Sequence, residues 1–311
     1  MPYRFEFDEV GPILERSSPR VSILMTVFNG ARFIAKSVEC VLDQSFSEWE
    51  LIIVENGSTD GTAELVKSFG DRRIRREMLE RNIGRTPALQ LALENARGEY
   101  VAVLDADDIC APERLATEIR FLDANPEVMV VGTWFNEIDA NGLENLVRTP
   151  STAGQDVIDL MASSNPILHS SAMYRRKEAI DVGGYAVEYK YGADTNLWVS
   201  LMQIGKAAII PISLASYRMY PENLTNQKST ALDVYYDGFR IYRRAAEVLP
   251  ISESARIKNK QSITAAQFLY GVALLRRRRL VLGFSNIVSA LSRNPIGILR
   301  SNRFRSLFSS K

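Results

Sequence analysis

The feature that most constrains this chain is a rhythm in its first 135 residues. Short β-branched runs, apolar on both faces, alternate with segments whose apolar residues recur at helical spacing. Val21-Ser-Ile-Leu-Met-Thr-Val27 reads as a strand, and Phe33, Ile34, Ser37, Val38, Val41 and Leu42 then fall on one face of a helix. Leu51-Ile-Ile-Val54 is a second strand, followed by a helix carrying Leu65, Val66 and Phe69 that closes at Gly70. A short strand is expected over Ile74 to Met78, a helix over Pro87 to Ala96, and another strand over Tyr100 to Leu104. The helix after it is expected to begin at Pro112, a favoured first-turn residue, and to stop before Asn125-Pro126. Strands apolar on both faces and separated by helices need a sheet covered on both sides. The fold class is therefore α/β, a doubly wound, mostly parallel sheet flanked by helices.

In such sheets ligands bind beyond the carboxyl ends of the strands. Three strands here end in polar groups: Thr26 to Asn29, Glu55-Asn-Gly-Ser-Thr-Asp60, and Asp105-Ala-Asp-Asp108. Two carboxylates one residue apart at a strand end can converge on one hard cation. Mg²⁺ or Mn²⁺ is satisfied by one or two such groups together with phosphate oxygens. The ligand so implied is a diphosphate held through its metal; an isolated Asp-x-Asp also occurs as a plain solvated loop.

From residue 136 the pattern loosens. Asp139-Ala-Asn-Gly142 reads as a hairpin turn and Thr149-Pro-Ser-Thr-Ala-Gly154 as a loop. A helix is expected from Asp194 to Ile204, with Leu197, Trp198, Leu201 and Ile204 inward, and the chain beyond residue 231 reads as wholly helical. The expected divisions are an N-terminal extension (1–19), a catalytic-type domain (20–230, with halves 20–135 and 136–230) and a basic helical region (231–311).

Charge separates the last of these from the rest. The net charge is only +1, yet residues 231–311 hold 15 Lys and Arg against 4 Asp and Glu, and no acid follows Glu253. The uncharged stretch Leu280 to Ser292 is too short to cross a bilayer, which needs about 18 apolar residues. It suits either an anionic membrane surface or packing on the preceding domain with solvated arginines. No nucleic-acid recognition module accompanies the basic stretch, so nucleic acid is not an expected partner. The N-terminus MPYRFEFDEV has no signal-peptide core, and two cysteines, Cys40 and Cys110, make no disulfide framework. A reducing cytoplasm is the simplest setting, with Cys110 as a small buried apolar residue.

The motifs Val21-Ser-Ile-Leu-Met-Thr-Val-Phe-Asn29, Leu51-Ile-Ile-Val-Glu-Asn-Gly-Ser-Thr-Asp-Gly-Thr62, Arg81-Asn-Ile-Gly84, Ala96-Arg-Gly-Glu-Tyr100 and Leu104-Asp-Ala-Asp-Asp108 stand in one order and spacing. In this the chain resembles the family 2 glycosyltransferases, of the kind that build bacterial surface polysaccharides. The similarity runs on through His169-Ser-Ser-Ala-Met173, Val182-Gly-Gly-Tyr185, Gly192-Ala-Asp-Thr-Asn-Leu-Trp198 and Tyr217-Arg218, so it covers about residues 20 to 225. The resemblance implies a GT-A fold, a nucleoside diphosphate sugar donor, Mn²⁺ or Mg²⁺, and transfer with inversion to a hydroxyl of a glycan or lipid-linked saccharide.

It also implies roles. Asp107 is the direct metal ligand, Asp105 lies near metal and ribose, and Asp108 supports them. Thr26 and Asn29 line the nucleoside, and Glu55 matches the acid that accepts from a uracil ring N–H, although the family commonly has Asp-Asp where this chain has Glu55-Asn56. Glu55 also suits a loop-capping acid. Arg81 matches a contact to the nucleotide or its phosphates and equally suits a surface arginine. Inverting transfer needs one base for the acceptor hydroxyl; Asp194 matches it, with Ala193 replacing the usual neighbouring Glu, and the same residue suits a helix N-cap. His169 falls on the acceptor side, and Trp198 is either core or a sugar platform. Tyr220 stands where many members have a metal-binding His. These departures keep open a second reading, a catalytically weak sugar-nucleotide-binding scaffold in a polysaccharide assembly at the membrane.

Overall fold

The computed structural model describes residues 18–149, 155–223 and 230–294. Most of the N-terminal extension, most of the loop expected at 149–154, and the last 17 residues lie outside the described residues.

The first strands form as expected. β1 (Val21–Val27), β2 (Trp49–Asn56), β3 (Ile74–Leu79) and β4 (Tyr100–Val103) are joined by α1 (Ile34–Leu42), α2 (Thr62–Ser68) and α3 (Arg85–Asn95). They pair in parallel in the order β3-β2-β1-β4. Alternate residues of one strand reach opposite faces. Leu24, Ile52, Val54, Val101 and Val103 pack on one side with α3 and α7 (Ala193–Leu201), while Ile23, Met25, Leu51, Ile53 and Ala102 pack on the other with α1 and α4 (Arg114–Ala124). This two-sided burial is why the strands carry apolar residues at nearly every position.

Beyond β4 the sheet becomes mixed. A three-residue strand, β8 (Met173–Arg175), runs antiparallel to both β4 and β6 (Val128–Ile138). β6 then pairs in parallel with the long β9 (Lys206–Arg218), and β5 (Ile109–Cys110) closes that edge. β7 (Glu144–Arg148) forms a hairpin with β6 across Asp139 to Gly142, where Gly142 takes φ 91°. Nine strands thus make one sheet, and position 135 falls inside β6.

Of the short α5 (Gln155–Met161) and α6 (Arg176–Asp181), α5 packs on β9 and α6 on α7. α7 begins at Ala193 and ends at Leu201, earlier than the expected Ile204, which is 52% exposed rather than inward. After it come α8 (Ala231–Val248), α9 (Glu253–Arg276) and α10 (Leu280–Arg293). Arg244 of α8 donates to the Asn196 side chain and Ser200 on α7, and Asn259 of α9 donates to the carbonyls of Ala162 and Tyr242. The helical region is therefore packed on the sheet domain through α8 and α9.

Below the strand ends a buried ion pair braces the architecture. Arg114 donates to Glu118 (3.2 Å) and to the carbonyls of Val103 (2.9 Å) and Ala172 (3.0 Å), tying α4 to the end of β4. Burial, opposed by Arg114, raises the Glu118 carboxyl to about 7, and its Oε2 is buried without a partner. A carboxyl raised in the folded state contributes stability that is full below its unfolded value and lost as pH rises through the folded one. The unfolding temperature of the wild type is expected to fall between about pH 4.5 and 7 relative to Glu118→Gln; parallel pH profiles in thermal melts would count against this.

Candidate active site

The ends of β1, β2 and β4 meet through their loops. Asn29 sits at φ 54°, and its side-chain oxygen accepts from Thr59 N–H (2.8 Å) while its own N–H donates to Ser58 (2.9 Å). Glu55, 2% exposed, accepts from Ser58 N–H (2.7 Å), so the loop-capping arrangement is present. Thr26 is half-buried at the end of β1, and Arg81 is exposed on the loop after β3. Asp60 accepts from the N–H of Ala31 and Thr62; these bonds outweigh burial and hold its carboxyl low.

Asn56 is buried rather than ligand-facing. Its amide donates to Asn82 and the Gly84 carbonyl, and its oxygen accepts from Ile83 N–H (2.9 Å), which fixes the loop that leads into α3. Gly57 is required beside it: at φ 71° a Cβ would lie 2.5 Å from the Arg81 backbone.

The three aspartates after β4 occupy different environments. Asp108 is fully buried and accepts from Ser170 Oγ and from the Arg218 N–H (2.8 Å). Burial, then the charges of Asp107 and Asp105, push its carboxyl well up. Ser170 also accepts from the Asp105 N–H (3.1 Å), so the turn His169–Ser171 holds both ends of the acidic loop. Ser37 of α1 donates to the carbonyls of Ala106 (2.9 Å) and Asp108 (2.7 Å).

Asp107 is half-buried and accepts from the Tyr220 hydroxyl (2.7 Å) on Oδ2. Burial and the neighbouring Asp105 raise it. Arg218, 1% exposed, supports this loop from the end of β9 through a bond to the Asp107 carbonyl (2.7 Å) and stacks on Phe33.

Asp105 is held by a residue that the sequence reading passed over. Arg85, the first residue of α3, donates through Nη2 to both Asp105 oxygens (2.7 and 2.9 Å) and to His169 Nδ1 (2.8 Å). Burial would raise Asp105, but Arg85 and then His169 hold it far below the usual carboxylate range. The Arg85 charge is secured in turn by Asp105 and Asp194 against burial. A cation at a helix N-terminus opposes the helix dipole, and that local conflict was the available signal. The other ring nitrogen of His169, Nε2, lies 3.0 Å from the Tyr185 hydroxyl. Tyr185 continues to Tyr174 (3.1 Å).

Asp194 is the second residue of α7, not its N-cap; Gly192 takes that place and makes no side-chain cap. A Cβ at Gly192 would collide with Ile241, so glycine lets α8 approach this helix start. Freed from capping, the half-buried Asp194 carboxylate accepts from Asn165 (3.0 Å). Trp198 is fully buried against Tyr174 and backs His169 at 6.1 Å between ring centroids. It is a core residue, with no face open to a sugar.

Cys110 also has a neighbour. Its sulfur lies 3.5 Å from that of Cys40, with Gln44 between α1 and the carbonyl of Ala111.

Removing Arg85 tests the brace. Arg85→Gln is expected to lower unfolding stability by about 2 kcal/mol, below the usual figure for breaking a fully buried pair because both partners keep some solvent. A chemical-denaturation midpoint equal to wild type would contradict it.

Among the described residues no group of three or more His, Cys, Asp or Glu is arranged to hold a metal ion. Mg²⁺ and Mn²⁺ commonly bind through one or two carboxylates plus substrate phosphates. Asp107 fits that use, since only its Oδ2 is engaged, by a hydroxyl. Asp105, expected at metal and ribose, already gives both oxygens to Arg85, so a cation reaching it would share it with a guanidinium.

This sheet order, with acidic loops at the strand ends and a helical C-terminal region, defines a GT-A-type glycosyltransferase. Solved structures share the fold: S. aureus TarS (residues 1–349) in complex with UDP superposes at TM-score 0.64 and 16% identity, over 94% of this chain and 92% of that one. The mannosyltransferase PcManGT of Pyrobaculum calidifontis, in complex with GDP-Man and Mn²⁺, gives 0.61 and 19%, over 94% and 83%. The model of Glycosyl transferase family 2 matches residues 22–184, and the chain belongs to that family. Among curated relatives, the putative glycosyltransferase EpsE of Bacillus subtilis is 31% identical over 61% of this chain and 69% of its own length. The putative teichuronic acid biosynthesis glycosyltransferase TuaG of the same species is 30% identical over 68% and 83%. The protein is thus a glycosyltransferase.

Proposed function

We propose that this glycosyltransferase moves a sugar, with inversion, from a UDP-linked donor to a hydroxyl of a glycan or lipid-linked saccharide during bacterial surface-polysaccharide assembly. The observation that carries the reading is the acidic strand end itself: Asp105 is held by Arg85, and Asp107 beside it is engaged at Oδ2 alone, by the Tyr220 hydroxyl. Carboxylates for the donor diphosphate would then stand at this strand end, with Asp194 at the start of α7 as the carboxylate for the acceptor proton.

Asp107 would hold the divalent cation, Mn²⁺ or Mg²⁺, with Asp105 beside it. When bound, the cation offsets charge on the departing diphosphate. Thr26, Asn29 and Glu55 would line the nucleoside, with Arg81 reaching the nucleotide or its phosphates. Glu55 supports uridine, because a buried carboxylate near the β2 end can accept a ring N–H. TarS in complex with UDP supports the same base, while the GDP-Man complex of PcManGT marks guanine as the competing one. Asp194 would take the acceptor proton as the hydroxyl attacks, and no covalent sugar intermediate is needed. Asp108, His169 and Trp198 support these groups: Asp108 fixes the loop, Trp198 backs His169, and His169 orients Arg85. The name of TuaG, a putative teichuronic acid biosynthesis glycosyltransferase, supports a place for this chain in building a saccharide polymer. Among the described residues no helix is long and apolar enough to cross a bilayer.

The test is UDP release from a panel of UDP-sugars with lipid-linked acceptors, in Mn²⁺ and in chelator. Turnover restricted to metal and to one UDP-sugar supports the reading. Tight UDP binding with no release from any donor would replace it with the non-catalytic scaffold.

A further inference from the structure

Among the described residues a row of exposed apolar side chains lies on α10, far along the chain from the acidic loops. Val281, Phe284, Val288 and Leu291 are 83%, 58%, 61% and 44% exposed. Their steps of three, four and three residues put them on one helix face. The opposite side is closed against α9 at Gly283 and Ala290. There the two helices touch through backbone: a Cβ on Gly271 would lie 2.9 Å from the Gly283 carbonyl, and one on Gly283 would lie 3.0 Å from that of Gly271. α10 is thus fixed in orientation, with its apolar stripe turned outward.

Charge says what that stripe meets. The turn into α10 consists of Arg276 to Arg279, all exposed, and Arg293 ends the helix. α10 itself carries no acid, and neither does the sequence after Glu253. Pairing with a second copy of α10 would set arginine against arginine in either direction, with nothing to offset them. An anionic bilayer offers the opposite charge and an apolar interior together. The helix has 14 residues, about 21 Å long, too short to cross a 30 Å hydrocarbon layer but suited to lying within its interface.

We propose that the α9–α10 tip and the outer face of α10 form a docking surface for an anionic lipid bilayer. This goes beyond the catalytic reading and does not depend on it.

The experiment is flotation of the full chain with phosphatidylcholine vesicles, alone or with about 30% phosphatidylglycerol, a typical anionic fraction for such tests. The protein is expected to float with the anionic vesicles only, and less so as salt rises. Phe284→Asp with Val288→Asp, both at exposed positions, should reduce partitioning at least about tenfold. Arg276→Gln and Arg279→Gln should each reduce it about fivefold. Thermal midpoints and turnover with a soluble acceptor should stay at wild-type values in all of them, which separates failure here from failure of the catalytic reading. The proposal is overturned if anionic vesicles do not float the protein, or if the aspartate variant floats equally well. It is also overturned if the stripe instead holds a dimer, or an acidic protein, without vesicle binding.

Discussion

Asp194→Asn is expected to leave UDP-sugar binding intact and to lower kcat by about 10²- to 10⁴-fold, the usual worth of a positioned general base. The substitution is nearly isosteric. The amide can still accept from Asn165, so α7 keeps its start and the change isolates proton transfer. Gly192, not Asp194, stands at the N-cap, which removes the main structural reason for the aspartate. Its charge also supports Arg85, so a modest loss of stability is expected together with the rate effect. Titration of the donor by calorimetry and single-turnover transfer separate the two. If Asp194→Asn turned over at the wild-type rate, the base would have to be sought elsewhere in the cleft.

Asp107→Ala is expected to remove metal-dependent nucleotide binding. A ligand at 100 times its Kd stabilises the folded protein by about 2.7 kcal/mol. Wild type with UDP and Mn²⁺ should show that gain in thermal melts, and Asp107→Ala close to none. Tyr220→Phe is the informative control, because its hydroxyl occupies Oδ2 of Asp107. Without that donor the carboxylate remains and is freer to bind, so UDP affinity in Mn²⁺ should hold or increase. Equal stabilisation of Asp107→Ala and wild type by UDP with Mn²⁺ would rule out Asp107 as the metal-holding group.

The parallel half of the fold was readable because burial on both faces leaves a direct trace: Ile23, Leu24 and Met25 must all be apolar if adjacent residues enter different cores. The acidic loop was readable for a related reason, since three aspartates so close after such a run break its apolar pattern abruptly. What escaped depended on pairing across long separations. β8 is three residues, shorter than any periodic signal, and only its neighbours β4 and β6 make it a strand. Cys40 and Cys110 are 70 residues apart in sequence, and their approach needs α1 and β5 already in place. Ile204 kept the helical spacing of α7, but the helix stops at Leu201, so spacing no longer predicts direction.

The candidate site divided in the same way. Thr26, Glu55 and the aspartates sit at strand ends, where topology alone sends them to one edge. Arg85 and Ser170 act by touching Asp105 and Asp108 from other elements, and no local pattern announces such a contact. Arg85 did leave one mark, an unfavourable charge in the first turn of a helix. Asp194 was read as a possible cap because aspartate before an apolar helix usually is one; the helix instead starts at Ala193 with Gly192, packed under Ile241 of α8, at the N-cap.

The single nine-stranded sheet has a mechanical meaning. β8 stitches β4 to β6 and β6 carries β9, so the loop bearing Asp107 and the strand that delivers Tyr220 hang from one hydrogen-bonded slab. Enzymes built as two lobes grip their substrates like jaws, with a hinge between. This one resembles an anvil, a single paired sheet that carries its acidic loop at one edge. Two substrates held on such a support would meet with less orientation left to fix, which is the entropic source of a rate advantage.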